Sequence, residues 1–271
     1  EAQTTDTLGR RTVAVGNGAL QSQNFTTATN SYNTAVGYDA GTAVSTGIAN
    51  TLIGGLAGDA LTDANNNTAV GYASLTAASG NQNTALGSQT LANNTGTDNT
   101  AVGYAAGFNV TTGVQNILIG AAAGDALTDA DYNVAIGENA LGADTLGSRS
   151  VAIGRRALLA QNFTTATDSY NVAIGFEAGN DVTTGVQNTL IGGLAGDALT
   201  DADHNVVVGV NSLAVDTLGS KSTAIGTFTL ESQNFTTATD TYNTAVGYNA
   251  GNDITTGVLN TFIGGLAGDG T

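Results

Sequence analysis

The stretch Asn33-Thr34-Ala35-Val36-Gly37-Tyr38-Asp39-Ala40-Gly41, "NTAVGYDAG", decides the fold, because the chain rewrites it from end to end. "NTAVGY" returns at 67–72, 99–104 and 243–248, and near-copies such as "NTLIGG" and "NVAIGF" fill the gaps. Aligned on the glycine, fifteen copies end at Gly16, Gly37, Gly54, Gly71, Gly87, Gly103, Gly120, Gly137, Gly154, Gly175, Gly192, Gly209, Gly226, Gly247 and Gly264. Eleven spacings are 16 or 17 residues and three are 21. A period this short suits neither a two-helix repeat nor a propeller blade. It suits one turn of a small parallel β-solenoid.

The columns carry the chemistry. Val, Ile or Leu precedes every repeat glycine, and a β-branched Val, Ile or Thr stands two residues earlier. Side chains two apart on a strand point the same way, so these columns are expected to wall one interior. The residue between them is Ala in ten copies and Leu, Val or Phe in five, and it faces the other way. A strand apolar on both faces is normally buried on both. The middle column is therefore expected to pack between chains: Ala35, Leu52, Ala69, Ala101, Leu118, Ala135, Ala152, Ala173, Leu190 and Phe262. Covering such a face contributes about 25 cal/mol per Å², which predicts an obligate symmetric oligomer, a homotrimer.

Four residues before the glycine stands Asn in twelve copies, Ser in two and Thr in one. Stacked at the strand spacing, these side chains are expected to form a ladder. After the glycine, G-x-x-[AST]-[GL] holds in all fifteen copies and predicts a tight corner leading into a second inward-facing strand. Fifteen turns at the inter-strand spacing would span roughly 70 Å. Residues 1–271 read as one continuous domain without linkers.

Composition narrows the class. The 271 residues include 22 acidic and 6 basic side chains, a net charge of −16, so a nucleic-acid partner is not expected. No run of 18 apolar residues offers a membrane span. Cys, Pro, Met and Trp are absent and 38 residues are Gly. Thiolate chemistry is thereby excluded, and helix is not expected. With no Met, residue 1 is not a translation start, and the chain is expected to be a piece of a longer fibrous protein.

Candidate sites lie in the turns. Acidic turns at 59–67, 125–133 and 197–205 place Asp125, Asp129, Asp131, Asp197, Asp201 and Asp203 where carboxylates and carbonyls can hold calcium. Against that, Asp favours turns because it bonds its own backbone; no other cofactor is expected. The 21-residue spacings carry "QNFTTAT" at 23–29, 161–167 and 233–239. As protruding loops, these present Asn24, Phe25, Thr26, Asn162, Phe163, Thr164, Asn234, Phe235 and Thr236 to a cell-surface glycan or protein receptor. The competing reading folds each Phe back over the coil edge. The six basic residues, all on long coils, are expected to neutralise acids between chains.

The spellings "NTAVGYxAG" and "SVAIGxxAL", the latter at Ser150–Leu158, resemble the head repeats of trimeric autotransporter adhesins and the repeats of phage tail-fibre-type proteins. The resemblance covers essentially the whole chain. It implies a left-handed parallel β-roll, three chains side by side, at a bacterial surface or on a virion tail fibre. The function expected is thus a non-enzymatic, extracellular fibre or head segment for attachment. Alternatives are a purely structural filament, a polysaccharide-degrading spike with paired carboxylates and an ice-binding solenoid carrying rows of Asn and Thr.

Overall fold

The three residues before each repeat glycine form a strand, and within each of the chain's two units these strands pair one repeat to the next. The structure is a computed structural model that describes residues 1–3 and 5–269. It is an all-β parallel solenoid of fifteen turns, without helix among the described residues. The turns fall into two compact units, Glu1–Tyr132 and Asn133–Thr271. The first holds seven three-residue strands, from Val13–Val15 to Ile117–Ile119. The second holds eight, from Val134–Ile136 to Thr261–Ile263. Register is unshifted within each unit: Thr34 faces Thr51, then Thr68, Thr84 and Thr100, and Val151 faces Val172, then Thr189.

The expected assignment of faces is reversed. Ala35, Leu52, Ala69, Ala101, Leu118, Ala135, Ala152, Ala173 and Leu190 are fully buried inside their own chain. Phe262 also lies inward, close enough to Gly268 that a Cβ there would strike its ring. The flanking columns face out: Val15 is 56% exposed, Leu86 46% and Ile53 39%. The physical reason is width. A coil of 16–17 residues encloses room for little more than one leucine per turn, so the column of small residues is the one that fits inside.

Packing within that narrow room is compensated between columns. Ala69 stands with Leu75, Ala85 with Leu91 and Ala152 with Leu158, all fully buried. Where the strand's middle residue is Leu, the position four after the glycine is Gly. A Cβ on Gly41 would sit 2.6 Å from the Leu52 side chain, and one on Gly58 would meet the same side chain at 2.6 Å. Leu52 fills the space those two glycines vacate. Interiors packed this tightly respond to single methylenes.

The asparagine ladder forms as expected and goes further. In the first unit, Oδ1 of Asn33, Asn50, Asn67, Asn83 and Asn99 each accepts the backbone N–H of the ladder residue one turn on, at 2.9–3.0 Å. Several amides also donate to a carbonyl fourteen residues ahead, as Asn50 does to Ala64 and Asn99 to Gly113, both at 2.8 Å. The second unit repeats the pattern through Asn171, Asn188 and Asn205. All these side chains are fully buried. One amide therefore ties its own coil to the next coil and to the far corner.

The corners depart from expectation in one respect. Among the described residues no second strand follows them in the ordinary coils, and two-residue pairs occur only beside long coils, at Gly9–Arg10 with Thr29–Asn30, Gly147–Ser148 with Thr167–Asp168, and Gly219–Ser220 with Thr239–Asp240. Elsewhere the return path consists of turns, several through left-handed non-glycine residues such as Asp98 at φ 61° and Ala105 at φ 54°. Each costs roughly 1–2 kcal/mol, offset by donation of its N–H to the preceding coil, to Asn81 and Ser88 respectively.

Two substitutions test this scaffold. Gly71 sits at φ +138°, and a Cβ there would lie 2.3 Å from the Gly87 carbonyl oxygen. Gly71→Ala should cost roughly 3 kcal/mol or more, since both strain and a backbone clash follow. Asn99→Ala orphans the Asn116 N–H and the Gly113 carbonyl and should cost roughly 2–6 kcal/mol, at about 1–3 per buried group. Denaturant unfolding measures both, and a loss under 1 kcal/mol at either site would refute the corresponding role.

Candidate interaction surfaces

The outward face of each sheet carries only Thr, Val, Ile and Leu, in two parallel columns. In the first unit, one column is Thr34, Thr51, Thr68, Thr84 and Thr100, and the other is Val36, Ile53, Val70, Leu86 and Val102. β-branched residues suit strands because their stiff side chains pack well on a pleat. No charged residue interrupts the face, although the chain carries a net charge of −16. Ile174, Ile191, Val206 and Ile225 continue the exposed apolar character in the second unit.

Five of the six basic residues have partners within the chain. Arg149 bonds Asp168 at 2.8 Å. Arg155 reaches Glu138 at 3.3 Å, and Arg156 reaches Glu177 at 2.7 Å. Lys221 pairs with Asp240 at 2.5 Å and lies over the Tyr242 ring, as Arg11 lies over Tyr32. These contacts join neighbouring coils and are part-exposed, so each contributes modestly.

The long-coil insertions are not protruding aromatic loops. Phe25, Phe163 and Phe235 are 6%, 5% and 7% exposed, so the rings fold back onto the coil edge. This corrects their expected place in a binding surface; covering a large apolar ring outweighs presenting it to water. Asn24, Thr26, Asn162, Thr164, Asn234 and Thr236 do remain exposed. The lobe's outer surface is therefore polar.

Beneath each lobe lies a polar cluster. Gln161 Nε2 donates to Asp144 Oδ2 at 2.5 Å and to Ser150 Oγ at 2.9 Å. Its Oε1 accepts from Asn171 Nδ2 at 2.8 Å, and Ser150 and Ser169 hydroxyls meet at 2.5 Å. Gln233 repeats this with Asp216, Ser222 and Asn243 at 2.6, 3.0 and 2.8 Å, and Gln23 with Asp6, Thr12 and Asn33 at 2.6, 3.2 and 2.9 Å. These clusters occur where Ser or Thr replaces the ladder Asn. The hydroxyl is too short to reach the far corner, and the inserted Gln spans the gap. Sequence reasoning missed them, although "DTLG" at 6–9, 144–147 and 216–219 recurs in step with each "QNF".

Burial pushes the Asp144 and Asp216 carboxyls up, against hydrogen bonds from Gln161 and Gln233 and from backbone N–H groups. Asp6 feels burial too, but the bonds from Gln23, Gly9 and Leu8 outweigh it and hold the group below its usual range.

The candidate calcium ligands are dispersed. Asp129 and Asp201 accept the hydroxyls of Thr112 and Thr184 at 2.5 and 2.6 Å, one coil back. Asp131 and Asp203 each accept a backbone N–H, from Val114 and Val186, at 2.8 Å. Asp125 and Asp197 are half-buried, apart from those bonds. No group of three acidic or imidazole side chains gathers to hold a metal among the described residues. Asp129, Asp131, Asp201 and Asp203 fasten adjacent coils.

Desolvation raises Asp59 and Asp125, and it pushes Asp197 up to about 6, reinforced by Asp181 and Glu177. A carboxyl that holds its proton more tightly folded than unfolded adds stability that is complete below 3.8 and lost as pH rises through about 6. The fold should therefore melt at a higher temperature near pH 5 than near pH 7, and Asp197→Asn should reduce that slope and raise the melting temperature at pH 7. Asp6 and Asp240, held down in the fold, act oppositely, below 3.8. A melting temperature that rises from pH 5 to pH 7 would contradict this assignment.

No family model matches this chain, and no curated protein matches it.

Proposed function

We propose that this chain is a non-enzymatic scaffold segment of an extracellular fibre, on a cell surface or a virion tail, for attachment. Three copies associate side by side, and the polar lobes of the long coils are offered to a glycan or protein receptor. The observation that carries this reading is the uncharged outward sheet face. Its apolar column stands in unshifted register, with Val15, Ile53 and Leu86 between 39% and 56% exposed. Exposed apolar surface of that kind marks an association site. The occupant best matched to it is a second copy of the same chain, because that copy offers the same ladder with the same rise per coil. Elsewhere the net charge of −16 keeps copies apart. The adhesin-head resemblance implies the trimer and the left-handed coil, and both belong to this reading.

A second reading draws on the Thr column: Thr34, Thr51, Thr68, Thr84 and Thr100 stand in consecutive register on that same face, suited to ordering water. Sedimentation separates the two. The native chain should sediment as three subunits, and Ile53→Asp with Leu86→Asp should yield folded single subunits, since these side chains face outward. A native chain that is folded and monomeric at micromolar concentration would overturn self-association, and thermal hysteresis in that sample would establish the water-ordering reading.

A further inference from the structure

Two of the long-coil clusters hold a side-chain amide, a hydroxyl, a carboxylate and an amide donor together in the buried interior. Asp144, Ser150, Gln161, Ser169 and Asn171 are all fully buried, as are Asp216, Ser222, Gln233, Thr241 and Asn243. The Ser150 oxygen lies 2.9 Å from the Gln161 amide nitrogen, and Ser222 lies 3.0 Å from that of Gln233. The same nitrogen contacts a carboxylate oxygen at 2.5 Å in one cluster and 2.6 Å in the other. The amide oxygen takes an N–H from Asn171 or Asn243 at 2.8 Å.

The geometry points to autocatalytic ester formation between Ser150 and Gln161 and between Ser222 and Gln233, with release of ammonia. The groups an acyl transfer needs lie next to one another. The terminal amide torsion of Gln is broad and soft, so a partial turn about Cγ–Cδ tips the amide plane and presents the face of the carbonyl carbon to the hydroxyl. Ser150 Oγ then bonds to Gln161 Cδ. The hydroxyl proton passes to Nε2, which becomes the ammonium-like leaving group beside the Asp144 carboxylate. The oxygen that gains negative charge is held by Asn171, as a fixed donor stabilises an oxyanion. Breaking Cδ–Nε2 expels ammonia, which carries the two amide hydrogens and the hydroxyl proton, and leaves the ester; no atom changes oxidation state. Burial holds nucleophile and amide together and excludes the water that would reverse the step.

The product is a covalent strut, joining residues eleven positions apart, at the root of two of the three lobes. Like a disulfide, it limits the unfolded chain, in a protein that has no cysteine. The third cluster serves as an internal comparison. Thr12 and Asp6 are only part-buried there and the hydroxyl stands farther off, at 3.2 Å. Water reaches that site, so it stays open.

Intact-mass measurement of the purified, folded chain decides the matter. Each bond lowers the mass by one ammonia, about 17 Da, so the two buried clusters should give a deficit of about 34 Da. Fragmentation should yield joined peptides carrying Ser150 with Gln161 and Ser222 with Gln233. Mild alkali should hydrolyse both, adding one water for each. Ser150→Ala should restore one ammonia and leave the other bond intact; if that variant does not fold, the joined peptides of the native chain carry the test alone. A native mass equal to that of the sequence would overturn the proposal. So would a deficit that maps to any other residues, such as an asparagine imide or the Thr12–Gln23 cluster alone.

Discussion

One buried primary amide per turn governs this structure. Where asparagine stands four residues before the repeat glycine, its oxygen receives the backbone N–H of the next turn and, in most such turns, its own N–H goes to a corner carbonyl fourteen residues on. Alanine cannot do either; aspartate can accept but not donate; serine can reach only one partner. Inside a coil this thin, water is absent and an unmatched backbone group costs about 1–3 kcal/mol. The amide thus fixes the rise from turn to turn as well as the path across each turn. Turns lacking it hold together through a different set of groups.

Those exceptional turns show how closely coil length and polar satisfaction are coupled. Where Thr12, Ser150 and Ser222 occupy the ladder position, a longer coil follows, and its glutamine links the hydroxyl, an aspartate and the next asparagine. The phenylalanine two residues beyond that glutamine covers the opening. The insertion is thus a structural joint with a polar outer surface, and any receptor contact it makes rests on threonines and asparagines rather than on aromatic rings. The same joint places a nucleophilic hydroxyl against an amide in a dry setting, a juxtaposition with chemical consequences beyond packing.

The outward sheet face and the interior divide the labour between them. Inside, Ala and Leu, with Val207 in one turn, interlock with Leu or Gly on the far side of the turn. Outside, the β-branched residues line up in register with neither charge nor cover. A single chain therefore satisfies most of its buried polar groups, Asn67 Nδ2 being one of five exceptions among the described residues, but leaves one regular apolar strip in contact with solvent. Ionic pairs such as Arg149–Asp168 and Lys221–Asp240 settle acidic and basic groups between adjacent coils within a chain, so they leave that strip uncharged.

The period, the parallel strands, the absence of helix and the asparagine ladder were legible in the letters alone, because stacking identical turns forces like residues over like. Which face of the strand turned inward was not read correctly, even though Leu52 with Gly58 and Ala69 with Leu75 carry the volume compensation that betrays the interior. Alternation along a strand defines two faces and gives neither priority; the diameter of the closed coil decides, and diameter arises only once corners and ladder bonds close it. Likewise "DTLG" and "QNF" are visible as repeats, yet their union around a buried hydroxyl depends on bringing residues ten to nineteen positions apart together. Sequence determined the repeat and its rise, since those follow from residues stacked upon their own copies. Tertiary structure decided inside from outside and acid from partner, since both require the turn to be closed in space.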